Sequence, residues 1–162
     1  MTRSPEKARA LRDLGAEPVV CNAFDADALR ALVVAFQPGV VVNELSDLPD
    51  KLAATNEANA RMRREGTRNL LAAANAAGAS RFIAQSVAWQ LSGEAGAAVR
   101  ELERLVLAAA SGVVLRYGRL YGPGTYYERE KPESPRVHVD EAARRTVTAL
   151  DAASGIIEVT DR

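Results

Sequence analysis

The feature that most restricts the fold of this chain is an alternation. Short apolar runs rich in β-branched residues are separated each time by helical segments of ten or more residues. The runs are EPVVCN (17–22), VVVN (40–43), RFIAQS (81–86), VVLRY (113–117) and GIIEVT (155–160). Connections of that length favour parallel pairing through right-handed crossovers rather than hairpins. The expected architecture is therefore α/β, a three-layer sandwich with a mostly parallel sheet covered by helices on both faces. A chain of 162 residues closes one such core and is too short for two typical ones, so residues 1–162 read as a single domain.

The helices carry their own punctuation. Ser4 is placed to N-cap a first helix, with Pro5 at its first position, Glu6 in its first turn and Gly15 past its end. Asp25 caps a second, whose Leu29, Leu32, Val33 and Phe36 share one face and which Pro38 stops. A long alanine-rich helix is expected from about Lys51 to Ala77, ended by Gly78. The helix before the strand at 113 turns Val99, Leu102, Leu105 and Val106 to one side, and Glu94, Glu101 and Glu103 read as solvated. Asp140 is expected to cap the helix EAARRTVTAL, and the single histidine before it, His138, reads as structural. The segment 122–138, GPGTYYEREKPESPRVH, is the one loop-like region of note, and loops at the C-terminal ends of parallel strands are where such sheets hold ligands.

Composition removes several functions. Lys plus Arg and Asp plus Glu both total 21, which leaves no electrostatic footprint for nucleic acid or an anionic membrane. No stretch approaches the ~18 apolar residues of a spanning helix. Cys21 is alone and cannot form an intrachain disulfide, and one histidine supplies no clustered metal ligands, so a cytoplasmic, metal-free protein is expected.

Three segments, REGTRNLLAAANAAGASRFIAQS (64–86), VVLRYGRLYGPG (113–124) and VHVDEAARRTVTAL (137–150), occur in an order that resembles the NAD-dependent epimerase/dehydratase family, the extended short-chain dehydrogenases. The resemblance covers most of the chain. It implies a Rossmann-like fold, NAD or NADP as cofactor, and a small or nucleotide-linked substrate. By this likeness Tyr117 and Gly118 leave a strand beside the nicotinamide, and Arg119 and Tyr121 face the substrate. The family usually has asparagine at the Arg119 position, and a guanidinium there suits a carboxylate or phosphate. The loop 122–138 would be a remnant of the substrate-binding region. Ser86 matches the region of the family's catalytic serine or threonine and would bond a substrate oxygen. Arg3, in the turn Thr2-Arg3-Ser4, would receive the 2′-phosphate of NADP. Asn22, with Ala23 beside it, stands where an aspartate often meets the adenine. Trp89 covers either a ligand or the core.

The departures from the family are as informative. Its opening strand, glycine-rich turn, helix and strand are not found, so the fold is expected to be N-terminally truncated. The family's strand order, 3-2-1-4-5-6-7, then leaves a gap between EPVVCN and VVVN. Those runs pair directly, or a second chain supplies the missing edges, or the true start lies upstream; unpaired apolar edges make a homodimer an expectation. Between Gln90 and Gly112 there is neither tyrosine nor lysine, so the family's Tyr-x-x-x-Lys acid/base is missing, and Tyr117 or Tyr121 are the nearest phenols to replace it. Arg63 stands in place of an asparagine common in the long helix. The chain is read as an NAD(P)-dependent epimerase/dehydratase-like protein of reduced activity. The alternatives are a non-catalytic binding module on the same scaffold, or a truncated reading of a full-length oxidoreductase.

Overall fold

The computed structural model describes residues 1–48 and 57–161. Four parallel strands form the main sheet in the order β1 (Val40–Asn43), β2 (Arg81–Val87), β3 (Gly112–Tyr117) and β6 (Gly155–Val159). The helices α2 (Ala26–Phe36), α4 (Thr67–Ala76) and α5 (Gly93–Leu107) cover one face. There Leu29, Leu70, Leu102 and Val106 pack on Phe82, Ala84 and Val114. On the other face Ile83, Val113, Leu115 and Val159 meet Val137, Ala142 of α6 (Val139–Thr148) and Ala149. Successive residues of β2 and β3 thus enter different cores, which is why both strands read as unbroken apolar runs. Each large aliphatic side chain so buried contributes roughly 1.5–3 kcal/mol.

The remaining elements serve the ends of this sheet. The first helix, α1 (Pro5–Asp13), begins at Ser4, whose hydroxyl accepts the Lys7 N–H as the sequence predicts. The long alanine-rich segment is described from Glu57 onward, as α3 (Glu57–Arg61), a π-helical turn over Met62–Gly66, and α4; the part of that expected helix from Lys51 to Asn56 lies outside the described residues. Two short strands, β4 (Arg119–Tyr121) and β5 (Arg136–His138), pair in parallel and bracket the 122–135 loop. At three residues each they are too short to show an alternation in sequence.

Three expectations need correction. EPVVCN is not a strand of the sheet: it makes an isolated bridge from Val20 to Thr2, with Thr2 N–H donating to Val19 and Cys21 N–H to Thr2, both at 2.9 Å. Pro18 offers no N–H and Thr2 is a one-residue partner, so no ladder extends. No pairing links that segment to β1 among the described residues, and Val20, Val40 and Val42 are exposed. The apolar face of α2 is likewise half covered: Leu29 is buried and Val33 packs on the core, whereas Leu32 and Phe36 face solvent. Finally, α6 is capped by His138 and not by Asp140. β5 runs up to His138, whose extended backbone lets its Nδ1 accept the Asp140 N–H at 3.3 Å, leaving Asp140 in the first turn where its charge suits the helix dipole.

Asp25 does cap α2, accepting the Ala28 N–H at 3.1 Å. Asp25→Ala is expected to cost about 1 kcal/mol, read as a lower urea midpoint with an unchanged slope.

Candidate functional site

The C-terminal ends of β1 and β3 bring together groups far apart in sequence. Tyr117, the last residue of β3, is 4% exposed, and its hydroxyl lies in a very short contact with Thr146 Oγ1 of α6. Thr146 in turn donates to the Ala142 carbonyl at 2.8 Å. On its other side the Tyr117 hydroxyl is 3.4 Å from Oε1 of Glu44, the residue that follows β1. Burial pushes the Tyr117 phenol far above its ordinary value. Burial also pushes the Glu44 carboxyl up to about 7, against a smaller downward pull from Tyr117. Glu44 is nonetheless an exposed residue: protein crowds the side facing Tyr117 while water reaches the other, and that water tempers the rise.

Glu44 also lines a cavity of about 390 Å³ whose other walls include Thr2, Arg3, Ser4, Lys7, Cys21 and Ala23. The start of α1 opens into it, so two cations, the Thr2 and Ser4 hydroxyls and a helix N-terminus share one small space. Arg3 pairs with Asp47 at 2.8 Å. Ala23 is buried in the wall. Asn22 is outside that lining; its Oδ1 accepts the Phe24 N–H at 3.1 Å in a local turn. This donor set fits the phosphate end of a nucleotide such as NAD(P).

A separate constellation occupies the opposite face of the sheet. Ser86 is paired in register with Arg116, one residue before Val87 meets Tyr117, so its side chain points to the α5 side and Tyr117 to the α6 side. The two sequence candidates for catalysis therefore do not converge. Ser86 donates to Glu103 Oε1 at 2.6 Å, and Glu103 receives Arg116 through two hydrogen bonds of 2.9 and 2.7 Å. Glu103 is 7% exposed, which corrects its reading as a solvated residue. Burial is the largest influence on its carboxyl and opposes ionisation. The bonds from Arg116 and Ser86, with the guanidinium's charge, outweigh it and hold the group below the usual carboxylate range. Beside this network Trp89, Gln90, Arg100 and Glu158 line a second cavity of about 500 Å³.

The other sequence candidates hold the 122–138 segment. Arg119 donates to the Glu133 and Ser134 carbonyls at 3.2 Å and lies 5.0 Å over the Trp89 ring. Tyr121 donates to Asp161 at 2.9 Å and meets His138 edge-on at 5.2 Å. Gly118 donates its N–H to Val159 at 2.9 Å, where the β5 backbone passes close by. Arg63, in the π turn, is half-buried, and burial holds its guanidinium below its usual value. The sequence reading missed Glu44, Thr146 and the buried Glu103. Among the described residues no group of three or more His, Cys, Asp or Glu could hold a metal ion, and no helix is long and apolar enough to cross a membrane.

No family model matches the chain. It is 35% identical to a 3-diazoavenalumate denitrifying reductase of Streptomyces sp., over an alignment that covers 99% of this chain and 65% of that protein. The aligned stretch, 209 positions, exceeds the chain's 162 residues, so the reductase carries inserted residues within it. Among solved structures, the fold matches a Thermus thermophilus UDP-glucose 4-epimerase in complex with NAD at 18% identity and a TM-score of 0.68, over 86% of this chain and 62% of that one. It matches an L-threonine dehydrogenase from Phytophthora infestans at 12% identity and a TM-score of 0.73, over 94% and 66%. The chain thus spans less than two thirds of the length of these proteins. The ordered sheet and the α5 and α6 faces that cover it give the chain the Rossmann-like fold of these NAD-dependent epimerases and dehydrogenases, and over nearly its whole length it is similar in sequence to a reductase; its 162 residues hold no Gly-x-x-Gly-x-x-Gly turn, and no tyrosine or lysine lies between Gln90 and Gly112.

Proposed function

We propose that this chain forms part of an NAD(P)-dependent reductase or epimerase acting on a small or nucleotide-linked substrate, with its cofactor site at the cavity between α1 and Glu44. The observation that carries this reading is the convergence there of Arg3, Ser4, Lys7 and the start of α1, all suited to phosphate, within reach of Tyr117 through Glu44. NAD(P), when bound, supplies hydride transfer at a substrate carbon. The chain's own part is to bind the phosphates with Arg3, Lys7 and backbone N–H groups, to line the site with Ala23, and to hold a proton at Tyr117 Oη, with Gly118 beside it at the end of β3. Arg119 and Tyr121 orient the loop over which the substrate enters. The NAD of the Thermus epimerase, the NAD and UDP of the Bordetella bronchiseptica enzyme WbmG, and the reductase name of the Streptomyces relative support this reading.

Titration with NADPH and NADH, followed by nicotinamide fluorescence, tests it. Saturable micromolar binding is expected, with Arg3→Ala weakening NADPH about tenfold and NADH little, the loss of one charge-assisted hydrogen bond. Absence of binding by a folded chain would overturn it. A second reading, binding without turnover, is favoured by the commitment of the Ser86 hydroxyl to Glu103, which leaves it no proton for a substrate. Carbonyl reduction by the chain that is lost in Tyr117→Phe would eliminate that alternative.

A further inference from the structure

The hydroxyls at the end of β3 can be followed proton by proton. Thr146 has one proton and gives it to the Ala142 carbonyl. Its Oγ1 can then only accept from Tyr117, whose single proton is thereby used. The geometry also suits donation from the Tyr117 hydroxyl to Glu44 Oε1, 3.4 Å away, but one proton cannot serve both partners, so with Thr146 as its acceptor the Tyr117 oxygen is left presenting lone pairs toward Glu44. A carboxylate in that place would oppose them, whereas a carboxylic acid would donate to them. With Glu44 ionised, the opposite arrangement is the satisfied one: Tyr117 donates to Glu44, and Thr146 turns from Ala142 to donate to Tyr117. Both states use every hydroxyl proton once, and they differ by the one proton on Glu44.

We propose that Glu44 is the positioning acid of this site: its proton sets the direction of the Tyr117–Thr146 hydrogen-bond chain and restores the Tyr117 phenol whenever that phenol gives up a proton. The second half rests on the reading of Tyr117 as the proton-holding group; the first does not. If Tyr117 protonates a substrate oxygen, the Glu44 carboxyl proton passes to the phenolate oxygen, Glu44 becomes a carboxylate, and it regains a proton from the cavity. Its position suits this, since it touches both the buried tyrosine and the cavity beside α1, and is itself exposed. The groups that face it are Tyr117 from β3, Thr146 from α6 through Tyr117, and Arg3, Lys7, Cys21 and the Met1 amino group across the cavity, with Asp47 beyond Arg3. The upward push that burial gives the Glu44 carboxyl acts in the same direction, toward the protonated form.

The two hydroxyl partners give opposite signs, and that separates this assignment from simple burial. In the whole chain labelled with ¹³C-glutamate, one carboxyl resonance should titrate far above the others and be absent in Glu44→Gln. Tyr117→Phe removes a donor to the carboxylate and should raise its midpoint. Thr146→Val releases the tyrosine proton toward Glu44 and should lower it by about one pH unit, tenfold in the proton equilibrium. Thr146→Ser should keep the wild-type value. A Glu44 midpoint among the ordinary carboxylates, or one that Thr146→Val leaves unmoved or raises, would overturn the proposal. Failure of NADPH and NADH to bind while these shifts appear would instead remove only the proposed cofactor site.

Discussion

Glu103→Ala should lower the stability of this chain by about 3 kcal/mol at pH 7, because it leaves a guanidinium and a buried hydroxyl without the acceptor they share. The carboxylate is the hub of the α5 side of the sheet: Arg116 reaches it with two hydrogen bonds and Ser86 with one. Arg116 is one-third exposed and recovers some hydration, which keeps the loss below that of a fully buried cation. Ser86, 2% exposed, recovers none. The effect carries a pH signature. The folded carboxyl lies below its unfolded value, so its stabilisation is complete above the unfolded pKa of about 4.3 and drains away as pH falls through the lower folded value. The gap between wild type and Glu103→Ala in urea midpoint should therefore be wide at pH 7 and narrow toward pH 3. A gap below about 0.5 kcal/mol, the range of ordinary surface changes, would show that the network contributes nothing.

That network also marks where sequence reasoning stops. β2 and β3 were legible because both of their faces are buried, so the apolar run needs no knowledge of partners. The caps Ser4 and Asp25 were legible because a cap is satisfied within four residues. The segment 17–22 was not, since β-branching reports a preference for extended backbone while a strand also needs a neighbour, and Thr2 alone answers it. Glu103 did leave a trace. It stands four residues after Val99 and three before Val106, inside the apolar face of α5, and a charge at such a position asks for a partner; Arg116 on the next strand is that partner. The meeting of Glu44 and Thr146 at Tyr117 left none, because their separations of 73 and 29 residues from it are closed only by the crossovers of the sheet.

Gly118→Ala should cost about 3 kcal/mol, through overpacking rather than backbone strain. The residue's φ lies outside the left-handed region, so conformation alone would admit alanine. Space does not: a Cβ would stand 2.6 Å from the N, Cα and C atoms of Arg136, all backbone of β5, which has no rotamer by which to yield. Gly118 is also pinned by its N–H bond to Val159, and Arg119 by its bond to the Pro135 carbonyl at 2.8 Å, so relief must come by parting β4 and β5 from the end of β3. The 122–135 loop hangs from those two strands, and its loosening should show as faster tryptic cleavage after Arg129. Gly39→Ala serves as the control, since a Cβ there meets nothing within 4 Å and should change stability by less than about 0.5 kcal/mol. The comparison separates two meanings of a glycine in the RYG segment. If Gly118→Ala unfolds at the wild-type urea midpoint, the close approach of β5 does not require the glycine, and its place beside Tyr117 is to be explained by a ligand; if the midpoint falls as expected, packing accounts for it whether or not a cofactor binds.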